Sequence, residues 1–316
     1  MDNVIQLFPS IDPYKILNVN VSSNHCLYVE QSGNPKGIPV IFLHGGPGAG
    51  TSAIYRRFFN PNIYRIILFD QRGCGKSSPY GSINNNTTQD LINDIKVILL
   101  KLNIKKTIIY GGSWGSTLAL LFAESYPELV SSLVLRGIFL CRLSDIKWFY
   151  QHGAHEIFPD YWEKFIADVP QNEREDILKA FHKRIHGKNK NISSQFCQKW
   201  AEWEGKSSSL LPSKNIIDQF SQCSESLSKI ETHYFVNNCF IDENQILINI
   251  NKIKDIKCEI VHGRYDIVCP FKQAFDLHKV YPASNLNIID NAGHSLLEPG
   301  IKNKILEIFS KPNELI

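Results

Sequence analysis

The sequence predicts an α/β protein: one mostly parallel sheet flanked by helices, with a helical cap domain inserted into it. Three observations lead there. Short apolar, β-branched runs bounded by Gly, Pro, Asn or Asp recur through the first 137 residues, and several are apolar throughout, as strands covered on both faces are. Helix-period segments separate the later runs, and strand–helix–strand alternation implies parallel pairing through right-handed crossovers. From about Ile138 to Asn244 no run is strand-like, and the strand signal returns only afterwards. The chain therefore divides into one α/β domain, residues 1–137 with 245–316, and an insert, residues 138–244.

Taken in order, strands are expected at Ile16–Val21, Cys26–Glu30, Val40–Leu43, Ile66–Phe69, Thr107–Tyr110 and Leu133–Leu135. A helix over Thr87–Leu102 carries its apolar stripe on Leu91, Ile95, Ile98, Leu99 and Leu102, with Thr88 as the expected N-cap. Trp114–Ser125 is the second clear helix. The aromatic-rich insert reads as helices at Asp145–His152, Asp160–Ala167, Glu173–His186, Ser194–Trp203 and Gln222–Phe235. Strands resume at Cys258–Val261 and Leu286–Ile289, and a last helix lies near Lys302–Phe309.

Composition narrows the function. Apolar residues are 43% and charged residues 21%, which excludes disordered, coiled-coil and collagen-like classes. Thirty-four basic against 31 acidic residues leave a formal charge of +3 with no basic stripe, an argument against nucleic acid or an anionic membrane as partner. The first ten residues lack the charged and apolar regions of a secretory signal, and no apolar run approaches the roughly 18 residues that span a bilayer. Eight cysteines are scattered singly without C-x-x-C, so free thiols and a cytoplasmic location are expected.

The strongest chemical signal is Gly111-Gly112-Ser113-Trp114-Gly115, between a predicted strand and a predicted helix. A serine on such a tight turn has its hydroxyl exposed, and the flanking glycines remove side chains that would collide with the neighbouring strand and helix. A serine nucleophile needs a base, and the base an orienting acid. Asp266 follows the strand at Cys258–Val261 and His294 follows the last strand, both at carboxyl ends where open α/β sheets place chemistry. His262 reads as structural, and Asp276 and Asp290 are weaker rivals for the acid. The glycine-rich turn His44-Gly45-Gly46-Pro47-Gly48 supplies the second oxyanion donor, giving a hole of the Gly46 and Trp114 N–H groups. Gly45 is placed on the substrate side of this turn.

Other motifs exclude chemistry. Asp70–Ser77 (DQRGCGKS) lacks the spacing of a phosphate loop and reads as a turn bracing the oxyanion loop. His155-Glu156 lacks a second histidine, and His182 with His186 has no acid partner and reads as a solvated pair, so no metal site and no cofactor are expected.

Taken together, HGGPG at 44–48, DQRGCGKS at 70–77, GGSWGS at 111–116, GRYDIVCP at 263–270 and GHS at 293–295 closely resemble the prolyl aminopeptidases, or proline iminopeptidases. These are serine peptidases of the α/β-hydrolase fold that remove N-terminal proline. The likeness extends into the insert through Leu135–Phe139, Trp148–Tyr150, Phe158–Asp160, Trp200–Glu204 (WAEWE) and Glu231–Phe235 (ETHYF). It implies that Glu204 and Glu231 capture the substrate amine and that Phe139, Phe149, Tyr150 and Phe235 are candidates for a box around the proline ring. Trp200 and Trp203 are expected to desolvate Glu204. The implied partners are short peptides with N-terminal proline, and the oligomeric state is left open between a monomer and a small homo-oligomer. Asn237-Asn238-Cys239 departs from the family, which often carries glycine there. An esterase or acyl hydrolase with the same triad is the nearest rival, and a non-catalytic ligand receptor on the same fold is the more distant one.

Overall fold

The computed structural model describes residues 6–22 and 24–316. One sheet contains β1 (Lys15–Asn20), β2 (Cys26–Gly33), β3 (Ile38–Leu43), β4 (Tyr64–Phe69), β5 (Thr107–Gly112), β6 (Val130–Arg136), β7 (Lys257–Gly263) and β8 (Ser284–Ile289). Their order is β1-β2-β4-β3-β5-β6-β7-β8. β1 and β2 pair antiparallel to their neighbours, and every pair from β4 to β8 is parallel. The apolar runs divide by alternation: Ile41, Leu43 and Ile109 pack into one core, while Val40, Phe42, Ile108 and Tyr110 pack into the other. Chain order reverses between β3 and β5, so the loops after these strands diverge and leave a crevice at their carboxyl ends.

Helix α1 (Thr88–Lys101) is capped one residue earlier than expected. Thr87 is the N-cap: its side chain accepts from the Asp90 N–H, and Asp90 accepts in return from the Thr87 N–H. That reciprocal pair satisfies two end groups at once. Thr88 instead turns inward and donates to the carbonyl of Cys239. Helix α2 (Trp114–Ser125) is buried along nearly its whole length.

Between β6 and β7 the described chain has helices and no strand. It contains α3 (Leu143–Tyr150), α4 (Ala154–Ile157), α5 (Pro159–Ile166), α6 (Ile177–Ile185), α7 (Lys190–Ser207), α8 (Lys214–Gln222), α9 (Ser224–Val236) and α10 (Gln245–Ile248). An aromatic core joins them. Phe165 stacks on Phe181 at 4.2 Å, and both lie against Trp200. Two further helices, α11 (Lys272–Val280) and α12 (Pro299–Phe309), cover the sheet after β7 and β8. The sequence did not point to α8 or α11, nor to the single turns α4 and α10.

Candidate active site

Ser113 occupies the turn between β5 and α2 at φ 57°, ψ −128°. The chain can make this turn only with glycine on both sides. A Cβ at Gly111 would lie 2.1 Å from the Gly115 carbonyl oxygen, and one at Gly115 would lie 2.0 Å from that of Leu43. The Ser113 N–H donates to the Arg136 carbonyl at 2.9 Å, tying the turn to β6. Trp114, next in sequence, opens α2 and so presents its N–H at a positive helix end.

The turn after β3 runs against this serine, since a Cβ at Gly45 would stand 3.3 Å from Ser113 Cβ. Gly46 has φ +108°, and a Cβ there would strike the Gly48 nitrogen at 2.6 Å. Gln71 fastens both sides: its N–H donates to His44 Nε2 at 3.0 Å, its amide to the His44 carbonyl at 2.9 Å, and its side-chain oxygen accepts from the Trp114 indole at 2.9 Å. His44 is buried, which pushes its pKa down. Its Nδ1 faces the Gly45 carbonyl at 2.9 Å, so the neutral ring carries its proton there and accepts through Nε2. Asp70 holds the same loop through the N–H groups of Thr51 and Lys76, at 2.6 and 2.8 Å.

His294 and Asp266 are brought together from the loops after β8 and β7. His294 Nδ1 lies 2.7 Å from Asp266 Oδ2, and Asp266 Oδ1 accepts from the Cys269 N–H at 2.8 Å. Burial alone would raise the Asp266 carboxyl, but the charge and hydrogen bond of His294, with His262 and the Cys269 N–H, hold it below its ordinary value. His262 is fully buried beside them. Its Nδ1 accepts from the Ile138 N–H at 3.1 Å and its Nε2 faces the Cys269 carbonyl at 2.9 Å. That pattern fixes the proton on Nε2, which stands 3.5 Å from Asp266 Oδ2. Gly137 at φ +54° leaves room for the His294 ring, which a Cβ would approach to 2.9 Å. The rival acids lie elsewhere: Asp276 is paired with Arg142 and Lys272, and Asp290 has its side chain 86% exposed beside Arg264.

Two spaces meet at Ser113. An inner pocket is lined by Gly46, Ser113, Glu204, Glu231 and the four aromatics Phe139, Phe149, Tyr150 and Phe235. An outer cleft is lined by Gly45, Gly46, Ser113, Glu204 and His294 among others. The inner pocket holds about 20 Å³ of open space and the cleft about 330 Å³. Glu204 on α7 and Glu231 on α9 are 7% and 1% exposed. Tyr150 Oη donates to Glu204 Oε1 and the Trp200 indole N–H donates to Glu231 Oε2. The two carboxyls line the same pocket, and neighbouring buried carboxyls resist ionising together. Burial pushes Glu204 up to about 7, and burial with the neighbouring Glu204 charge pushes Glu231 up as well.

Three expectations need correction or addition. Trp200 also donates its indole N–H to Glu231, while Trp203 packs against Phe149, Trp162 and Phe165 with its indole nitrogen buried without a partner. His182 and His186 are not simply solvated. Their rings lie 4.3 Å apart, His186 Nε2 meets Thr232 Oγ1, and burial pushes His186 down to about 4. Arg136 at the end of β6 was missed: it lines the cleft and donates to the His294 carbonyl. Its place before the glycine of Leu135–Phe139, at a strand's carboxyl end, was the available signal. Among the described residues, no group of three or more His, Cys, Asp or Glu could hold a metal, and no helix is long and apolar enough to cross a membrane.

Sheet, crossovers and the strained serine turn define an α/β hydrolase, and residues 38–300 match the family model of the alpha/beta hydrolase fold. The proline iminopeptidase of Xylella fastidiosa is 47% identical over 296 residues, 93% of this chain and 95% of that relative. The proline iminopeptidase of Arabidopsis thaliana is 46% identical over 314 residues, 98% of this chain and 83% of that relative. The chain belongs to the proline iminopeptidase family. Among solved structures, the proline iminopeptidase of Mycobacterium smegmatis matches with a TM-score of 0.62 at 15% identity over 95% of this chain and 98% of its own, a likeness of fold alone.

Proposed function

We propose that this chain is a serine aminopeptidase that releases N-terminal proline from short peptides through an acyl-enzyme. Ser113 attacks the prolyl carbonyl carbon, and His294 takes the serine proton. The Gly46 and Trp114 N–H groups receive the developing oxyanion. Asp266 keeps His294 in the tautomer that faces the serine and stabilises the imidazolium. His294 then gives its proton to the leaving amine, and water, activated by the same histidine, frees proline from Ser113. Residues 1–137 and 245–316 carry this chemistry, and residues 138–244 form the cap that supplies Glu204, Glu231 and the aromatic walls. Seating a five-membered ring requires those inner walls to part.

The observation that carries this reading is a pair of buried carboxyls in the pocket that also contains Ser113. Such a pair suits a substrate whose α-amine is cationic, with a pKa of about 8, and an ester substrate offers it nothing. The eight cysteines are all free, which fits a reducing, cytoplasmic setting. Pure protein assayed on aminoacyl arylamides should cleave the prolyl compound at least about tenfold faster in kcat/KM than the alanyl or leucyl ones. A leucyl arylamide cleaved as fast would remove proline from the assignment.

A further inference from the structure

The reading above fixes one end of the substrate and leaves the other unassigned. With its amine at Glu204 and Glu231 and its carbonyl at Ser113, a peptide fills the inner pocket with its first residue. The departing chain must leave through the only other of these two spaces, the outer cleft. His294 lines that cleft and is absent from the inner pocket's wall, as a group that protonates the departing amine should be. Past the junction uncharged polar residues, among them Thr51, Ser208, Gln219 and Ser295, alternate with an apolar patch contributed from both sides. Ile216 and Phe220 project from α8, and Tyr55, Leu296 and Leu297 come from the α/β domain. Ile216 and Leu296 are each 7% exposed, so their apolar surface already sits in a recess. Apart from Glu204 at the junction, no carboxylate lines the cleft, and its one cationic side chain of fixed charge is Arg136.

We propose that the outer cleft is a specificity site for the second substrate residue and selects an apolar side chain, seated between Ile216 and Phe220 of α8 on one side and Leu296-Leu297 on the other. This rests on the aminopeptidase reading and adds the class of peptide that reading does not supply. α8 thus acts as a specificity wall, which explains why the cap extends a short helix over the crevice with a single buried residue, Ile216. A basic second residue meets no carboxylate there. A glycine leaves the recess unfilled.

The test compares proline release from Pro-Phe-amide, Pro-Gly-amide and Pro-Lys-amide, with C-terminal amides used so that Arg136 meets no free carboxylate. The expected kcat/KM for Pro-Phe-amide exceeds that for Pro-Gly-amide by about tenfold or more, with Pro-Lys-amide no better than Pro-Gly-amide. In Ile216→Ser and Leu297→Ser the Phe/Gly ratio falls toward one. Because it is a ratio, a variant that folds incompletely still reports it. Equal turnover of the three amides by the parent protein, or an unchanged ratio in both variants, overturns the inference while leaving the aminopeptidase reading intact. No proline from any of the peptides overturns that reading, and this one with it.

Discussion

Ser113→Ala lowers kcat on a prolyl arylamide by about 10⁴–10⁶-fold and leaves folding stability within about 0.5 kcal/mol of the parent. The size follows from the chemistry: without a nucleophile only water can attack, and what survives is the contribution of oriented N–H donors and substrate binding. The small stability change follows from the position. The strained turn is imposed by the contacts of Gly111 and Gly115 with neighbouring backbone and by the Ser113 N–H bond to Arg136, all of which alanine keeps. Steady-state kinetics with a thermal or urea unfolding curve measures both quantities. Activity within tenfold of the parent would mean that another group attacks the carbonyl.

Glu231→Gln and Glu204→Gln should each cost about 10²–10³-fold in kcat/KM on free prolyl substrates, because each removes one member of a buried charge arrangement that pairs with the amine. The pH dependence carries a sign. In the free protein the pair holds a proton, with Glu204 raised to about 7 by burial. Below that range the pair is protonated and a cationic substrate finds less charge, so KM rises as pH falls. Above about 8 the substrate amine itself loses its charge, and kcat/KM falls again. Stability moves the other way. A carboxyl whose folded pKa lies above its unfolded value contributes stability that is full below the unfolded pKa and is lost as pH rises through the folded one. The parent therefore loses stability between about pH 5 and 8, and Glu231→Gln, carrying a neutral amide, loses less. A variant weaker in catalysis yet relatively more stable at pH 8 distinguishes amine capture from a merely structural role. Unfolding midpoints from pH 5 to 9, set beside KM over the same range, supply the comparison.

Much of the site was legible because its chemistry is written in short local patterns. Ser113, Asp266 and His294 each follow a strand, and Gly111 and Gly115 around Ser113 are demanded by contacts under 2.2 Å to a substituted Cβ. The aromatic residues and glutamates of the cap were legible only through resemblance, since nothing in helical spacing says which faces of α3, α7 and α9 converge. α8 was silent because KNIIDQFSQ carries one buried residue and no strong helix-start signal; packing against Gly205, where a Cβ would lie 3.1 Å from Ile217 Cα, does what propensity does not. The departure at Asn237-Asn238-Cys239 finds its reason in the backbone. Asn238, Cys239 and Phe240 take φ of 50°, 52° and 55° in succession, the left-handed region that glycine enters freely and other residues enter at about 1 kcal/mol or more each. The hydrogen bond from Thr88 to the Cys239 carbonyl helps to hold that turn without glycine. The histidine pair His182 and His186 was misjudged because burial there comes from α9, distant in sequence.

The central claim is that a free, charged amine is read by Glu204 and Glu231 while Ser113 attacks the adjacent carbonyl. Hydrolysis of prolyl arylamide and of its N-acetylated form by the same pure protein at pH 7.5 tests it most directly. Acetylation removes the charge and leaves the scissile bond untouched, so the account predicts that kcat/KM falls by at least about 10²-fold. Equal hydrolysis of the two would contradict it and leave a serine hydrolase indifferent to the amine.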